Sequence, residues 1–283
     1  MAHQCSYRPG RLSVTCFVLL TFLVGAFSSC TREDTAPGGE ANSAKDQETQ
    51  QRERGAQIVE EYRKNEAAPY RQGRLQLTMT QPKEAKKVYE IEVWRKQTSE
   101  GRDTLVRILK PETEKDLASL SIERKGQNTV NVTYDKSTGE FQESDSTRQG
   151  LGGLTAQEML GEWDGYDHRL IGEKEIEGVK TYEVESTLKP NVPSRIKRFV
   201  TYFRMDNSMP AEAHLFDATD KEIRTIRVKE YRTIEGRPVI WRLEVTNHVR
   251  NLKMAVDVIN QSVEKKIDDK VFTRENLKRL ASA

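Results

Sequence analysis

Polar and apolar residues change their period once along this chain. Among charged neighbours, Ala56, Ile58, Val59 and Tyr62 fall at helical spacing, which predicts a short amphipathic helix ending near Lys64. Beyond it the period drops to two. Arg74-Leu75-Gln76-Leu77-Thr78-Met79 alternates cleanly; Val239, Trp241, Leu243 and Val245 alternate with Ile240, Arg242, Glu244 and Thr246. Leu252, Met254, Val256 and Val258 likewise stand opposite Lys253, Ala255, Asp257 and Ile259. Further strands are expected over 86–97, 103–110, 117–125, 128–135, 167–174, 179–188, 196–205, 211–217 and 222–233. Turns punctuate them at Ser99-Glu100-Gly101, Ser137-Thr138-Gly139, Glu177-Gly178 and Glu235-Gly236-Arg237-Pro238.

Many strands joined by short turns imply an antiparallel meander, and a sheet with one apolar face must curl or be covered. Several strands are long, which favours a large curved sheet over a small sandwich. The expected fold is therefore mainly β: a large curved antiparallel sheet or half-open barrel with short covering helices. Two local signals supply those helices. Thr155 and Glu158 form a capping box with Leu154 and Met159 at the staple positions, and Thr273 can cap while Phe272 staples onto Leu277. The first helix falls between the two halves of the meander, placed to cover the mouth of the sheet.

The front end is of another kind. Arg8 and Arg11 precede an apolar stretch, Leu12 to Phe27, that is too short to span a bilayer and suits the apolar region of a secretory signal. Phe27-Ser28-Ser29-Cys30 resembles a bacterial lipobox, with Phe27 where an aliphatic residue is usual. Cys30 is the expected lipidation site, acylated by a chain such as palmitate; the alternative is a plain signal cut nearby, leaving a free thiol. Cys5 and Cys16 leave with residues 1–29, so one cysteine remains and no intramolecular disulfide can form. Residues 30–50 hold no large apolar side chain and read as a disordered tether. The folded domain is expected over 51–283.

Composition narrows the function. The whole chain carries 46 Lys+Arg against 44 Asp+Glu. Its net charge of +2 lies in Arg8 and Arg11, so the body is neutral and offers no basic field for nucleic acid. His168, His214 and His248 show no metal-ligand spacing, and Asp167 and His168 point to opposite faces of a strand. Neither a nucleophile elbow nor a phosphate loop is present, and Gly150-Leu151-Gly152-Gly153 lacks the strand a phosphate cradle needs. Carboxylates such as Glu90, Glu92, Glu183 and Glu185 read as solvated faces or cross-strand ion pairs. No enzyme, metal or cofactor is expected.

The chain resembles the outer membrane lipoprotein-sorting protein family, a LolA/LolB-like group of lipoprotein carriers. The resemblance is carried by Arg107-Ile108-Leu109-Lys110-Pro111, Leu151-Gly152-Gly153-Leu154-Thr155-Ala156-Gln157-Glu158-Met159 and Tyr166-Asp167-His168-Arg169-Leu170-Ile171-Gly172-Glu173. It continues through Val179-Lys180-Thr181-Tyr182-Glu183-Val184, Met209-Pro210-Ala211-Glu212 and the Phe272-Thr273 close. It implies a half-open barrel whose apolar interior holds acyl chains of lipids or lipoproteins beneath a helical lid. One C16 chain resists entering water by roughly 12 kcal/mol, so such transfer needs an apolar container and no bond-making.

Trp94, Leu109, Met159, Tyr202, Trp241 and Met254 are the candidate lining. Arg107, Leu154, Thr155 and Glu158 are the candidate lid contacts. The basic run Arg195, Lys197 and Arg198 reads as a solvated face or as a contact for anionic headgroups. The expected molecule is a monomer in the cell envelope; Thr31 rather than Asp after Cys30 points to the outer membrane, facing the periplasm. The alternative is a non-enzymatic β scaffold, with a filled core, that docks on an envelope transporter or complex.

Overall fold

The computed structural model describes residues 39–282 apart from 116, 125–126, 128, 146–164, 193 and 264. The signal, Cys30 and the capping box with Leu154, Thr155, Glu158 and Met159 lie outside the described residues. Helix α1 spans Gly39–Glu66. Strands β1 (Tyr70–Thr80), β2 (Lys87–Gln97), β3 (Gly101–Lys110), β4 (Ala118–Arg124), β5 (Val130–Asp135) and β6 (Glu140–Asp145) follow. After them come β7 (Tyr166–Ile176), β8 (Val179–Leu188), β9 (Arg198–Arg204), β10 (Pro210–Phe216), β11 (Glu222–Ile234), β12 (Arg237–Asn247) and β13 (Leu252–Val263). Helix α2, Arg274–Ala281, closes the chain.

All thirteen strands form one open, curved sheet, ordered β6-β5-β4-β3-β2-β1-β13-β12-β11-β10-β9-β8-β7. Every pair of strands consecutive in sequence lies side by side except β6 and β7, and the two runs meet at the seam where β1 pairs antiparallel with β13. The consecutive strands β6 and β7 are therefore the two edges. The mainly β, curved antiparallel fold read from alternation is present, with twelve strands near their expected places. β6 was not anticipated, because Glu140-Phe141-Gln142-Glu143-Ser144-Asp145 has one apolar residue and no alternation. It is held by its pairing with β5, where the rings of Tyr134 and Phe141 lie 5.2 Å apart.

The short first helix is corrected. α1 begins at Gly39, so residues 39–50, read as part of an unstructured tether, are helical. Polarity there was taken for disorder, but Lys45 to Arg54 is rich in Gln, Glu, Lys and Arg, all good helix formers. An i,i+4 pair, Glu48 with Arg52 at 2.8 Å, adds support. Among the residues of α1 from Lys45 onward, burial is confined to the second half of the helix. Ile58 and Val59 pack with Val184 and Phe203, and Tyr62 stacks at a tilt on Phe203 with centroids 5.7 Å apart. Gly55 permits this approach: a Cβ there would stand 2.7 Å from the backbone of Arg169 and Leu170 on β7.

α2 starts where its cap predicts. Thr273 Oγ1 accepts a hydrogen bond from the Asn276 N–H at 3.2 Å, and Phe272 packs in the same cluster as Leu277. Leu277 and Leu280 bury themselves on Leu105, Leu120 and Val132, and Arg274 pairs with Glu143 of β6.

The two helices cover opposite faces. Val184, on which α1 sits, is in register with Thr201, Ala213, Ile226, Val245, Met254 and Met79 across seven strands, so these share the α1 face. Leu105 beneath α2 is in register with Trp94 and Leu120, and Trp94 stands three residues from Ile91, which is on the α1 face. The apolar side of the sheet thus switches. Across β8–β13 and β1–β3 it is the α1 face; on β4 and β5 it is the α2 face, while Ser119, Ser121, Asn131 and Thr133 occupy the other. β3 is the crossover, apolar on both sides through Leu105, Val106 and Ile108.

Candidate functional site

The α1 face carries one broad apolar bed. Leu77, Met79, Tyr89, Ile91, Ile108, Val245, Leu252 and Met254 are all buried there, and half-buried Leu75, Val93, Val106, Ile226, Leu243 and Val256 continue it. The register explains the continuity. Val245, Met254 and Met79 are cross-strand neighbours, as are Leu243, Val256, Leu77 and Tyr89, and then Val258, Leu75, Ile91 and Ile108. Alternation along each strand sends every second residue to this side, and pairing lays the rows together.

One end of the bed is closed by charge. The last residue of α1, Glu66, lies between two arginines of the α1 face: Arg71 Nη2 is 3.3 Å and Arg95 Nη1 3.5 Å from its carboxylate, and Arg95 Nη2 donates to the Glu66 carbonyl at 3.0 Å. Arg71, Arg95, Thr104 and Ser121 form one polar row across β1–β4. Burial opposes ionisation of Glu66, yet Arg71 and Arg95 hold its carboxyl below the usual carboxylate range. Burial, with the Arg71 guanidinium close by, lowers Arg95 to about 10. Arg71 Nε, Arg95 Nε and Thr104 Oγ1 are buried with no hydrogen-bond partner among the described residues, so this row depends on Glu66 for its compensation. Beside it, Ala68, Val239 and Val263 form a small apolar plug with Trp241.

The residues singled out from sequence do not assemble into one lining. Met254 is in the bed. Trp94 is on the other face, packed under α2. Tyr202 also faces away from α1; its hydroxyl donates to Glu183 at 2.9 Å, and burial followed by that carboxylate pushes its pKa up. Trp241 joins the plug and receives the Arg232 guanidinium over its ring at 4.0 Å. Leu109 sits at a bulge between the Ile108–Ile91 and Lys110–Glu90 pairs. Arg107 is opposite Glu92 and Ala118, on the α2 side. For Trp94 and Tyr202 the reason is position parity along the strand, which decides the face whatever the aromatic character of the side chain. The leucines, isoleucines and valines that make most of the bed are visible in the alternation, which groups them on one side of each strand without saying what that side meets.

Sequence reasoning also missed a polar network on the α2 face of β9–β12. His214 lies between Glu222 Oε1 at 2.8 Å and Glu212 Oε1 at 2.7 Å, and Arg227 reaches Glu212 at 2.9 Å. The i,i+2 spacing of Glu212 and His214 on a strand was the available signal. Thr225 Oγ1 contacts Glu222 at 2.5 Å and His248 Nε2 at 2.8 Å. A nucleophilic triad needs the acid on the far nitrogen of the imidazole, whereas Glu222 and Thr225 both approach Nε2 of His248. Among the described residues no group of three or more His, Cys, Asp or Glu could hold a metal ion. His168, on the α1 face, bonds Ser186 at 2.8 Å and stands apart from exposed Asp167.

Comparison with known proteins places this architecture. A family model described as "Uncharacterized protein" matches residues 100–279, well over half of the chain. The chain belongs to that family. No curated protein matches it in sequence. The fold is shared with solved structures of low sequence identity. A DUF1329 family protein from Desulfovibrio piger superposes with a TM-score of 0.74 at 15% identity, covering 80% of this chain and 99% of that one. A putative outer membrane lipoprotein-sorting protein domain from Vibrio parahaemolyticus gives 0.71 at 13% identity, covering 81% and 100%. A LolA superfamily protein from Nitrosomonas europaea gives 0.66 at 16%, covering 78% and 98%. The fold of this chain is thus LolA-like. Among its described residues no helix is long and apolar enough to cross a membrane.

Proposed function

We propose that this protein is an envelope lipoprotein, acylated at Cys30, that holds acyl chains of lipids or lipoproteins non-covalently against the α1 face of its sheet, and that it acts in lipoprotein sorting or lipid transfer. The observation that carries this reading is the apolar bed shared by β1–β3 and β11–β13, closed at one end by the Glu66–Arg71–Arg95 cluster. Long strands in register supply an apolar strip wide enough for extended chains, and each buried CH₂ contributes about 0.8 kcal/mol. The LolA superfamily and lipoprotein-sorting folds of its structural neighbours support the same role. Location at the outer membrane, facing the periplasm, follows from Thr31 after Cys30.

A radiolabelled fatty acid or phospholipid titrated into the delipidated protein tests the reading. Saturable uptake is expected, and Leu243→Asp, which puts a carboxylate into the bed, should weaken it at least about tenfold while circular dichroism remains that of the folded sheet. An intact fold without saturable uptake sinks the proposal.

A second reading has its own support. Leu77 and Met254 are each 3% exposed and Ile91 4%, so much of the bed is already covered within the folded chain. A non-enzymatic scaffold that docks on an envelope transporter or complex needs no more than that, and the failed titration would favour it.

A further inference from the structure

The antiparallel order makes successive turns alternate between the two rims of the sheet, and the rims differ in charge. One rim holds the connections 81–86, 111–117, 136–139, 189–197, 217–221 and 248–251, whose described residues include nine Lys+Arg against five Asp+Glu. The other holds 98–100, 125–129, 177–178, 205–209, 235–236 and 264–268, whose described residues include two against five. Lys83, Lys86, Lys189, Arg195 and Lys197 on the first rim are exposed. Apolar exposure follows charge. Of the five exposed large hydrophobic residues described, Val249 (66%), Leu117 (54%) and Val88 (43%) are at or next to the basic rim.

Two features of the fold point the same way. The bed approaches the surface at this rim: Met79, Leu252 and Tyr89 lie within three residues of the strand ends there, while the Glu66 cluster and the plug close the opposite end. The helix also leaves on this side. Its C-terminal part reaches the acidic rim, where Asn65 Nδ2 donates to the Asn207 carbonyl at 3.0 Å and Ser208 donates to Glu61 at 2.9 Å. Its earlier turns climb β7, with Gly55 against Arg169 and Arg52 within electrostatic reach of Asp167 at the basic end of that strand. The part of α1 before Arg52 therefore extends past the basic rim.

We propose that the rim bearing Lys83, Lys86, Arg195, Lys197 and Val249 docks on an anionic phospholipid surface, so that the apolar bed opens toward the bilayer in which the Cys30 acyl group is anchored. Lysines and arginines near such a surface are attracted by its negative potential, and the exposed valines and leucine can enter the acyl boundary beside them. The orientation rests on the acyl-binding reading; docking itself does not.

The test separates the two. A polarity-sensitive fluorophore is placed on the processed protein through Val249→Cys or, on the acidic rim, through Glu235→Cys. Vesicles of phosphatidylglycerol and phosphatidylcholine in equal parts should shift the emission of the residue-249 label to the blue and leave the residue-235 label unchanged. Pure phosphatidylcholine should give a much smaller shift, and 0.5 M salt should remove most of the response, since surface attraction is screened. The triple variant Lys83→Glu, Lys86→Glu, Lys87→Glu should lower vesicle affinity about tenfold or more. It should still take up fatty acid from solution as the unaltered protein does. Equal responses at both rims, or no preference for anionic vesicles, overturn the docking proposal. Docking without acyl uptake overturns the carrier reading and leaves the rim standing.

Discussion

Glu66 shows how one side chain can hold a helix end, a strand pair and the boundary of an apolar bed together. Among the described residues it is the sole carboxylate within ion-pair distance of both Arg71 and Arg95. Removing one partner from a buried ion cluster leaves charge uncompensated, which usually costs several kcal/mol. Glu66→Gln is expected to destabilise the protein by about 3 kcal/mol at pH 7, read as a lower urea midpoint with an unchanged slope. The pH dependence carries a sign that identifies the cause. The folded-state pKa of Glu66 is held below its ordinary 4.5, so its contribution is complete above pH 4.5 and is lost as pH falls below that toward the folded value. The midpoints of the variant and the unaltered protein should therefore converge in acid. A constant gap down to pH 3 would show that packing, and not charge, is what the substitution removed.

At the scale of elements, the helices differ in what makes them stable. α2 is eight residues long and could not persist alone. Leu277 and Leu280, three positions apart, insert into Leu105, Leu120 and Val132, while Thr273 satisfies one terminal N–H. Thr273→Ala should cost about 1 kcal/mol and Leu277→Ala about 3 kcal/mol, measured by thermal melting. Because α2 lies on the face opposite the apolar bed, acyl uptake should survive the first change with its affinity intact. A loss of uptake in Thr273→Ala would mean that the two faces are coupled through β3. α1 is built the other way: a long polar first half sustained by helix propensity, and a second half held by Ile58, Val59 and Tyr62. Its seat was legible in the spacing of those three residues. Its start was not, since the same Gln-, Glu- and Lys-rich composition suits both a solvated helix and a disordered tether.

At the scale of the whole molecule, the proposed attachment at Cys30 and the charge difference between the rims are tested separately. If Cys30 carries a lipid, metabolic labelling with palmitate should mark the protein, and Cys30→Ser should abolish the label; labelling that survives the substitution would remove the anchor from the argument. A tethered carrier needs its open end to face its source of lipid. The difference between the basic rim and the acidic one gives this sheet a direction that its near-zero overall charge hides.

The sequence alone determined most of the β architecture, because a period of two is imposed by the pleat and survives any tertiary arrangement. It also fixed the α2 cap, since a capping side chain reaches only its own first turn. Met254, one of the proposed lining residues, lies on the bed because it belongs to a clean alternating run. Trp94 and Tyr202 do not, because a strand's pattern says which residues share a side but not which side meets which helix. That was decided by register across thirteen strands, by the β1–β13 seam, and by the crossover at β3, where the apolar side of the sheet changes. Glu66, Arg71 and Arg95 meet only once the end of a helix is laid across two strands, and contacts of that kind leave no periodic trace in the chain.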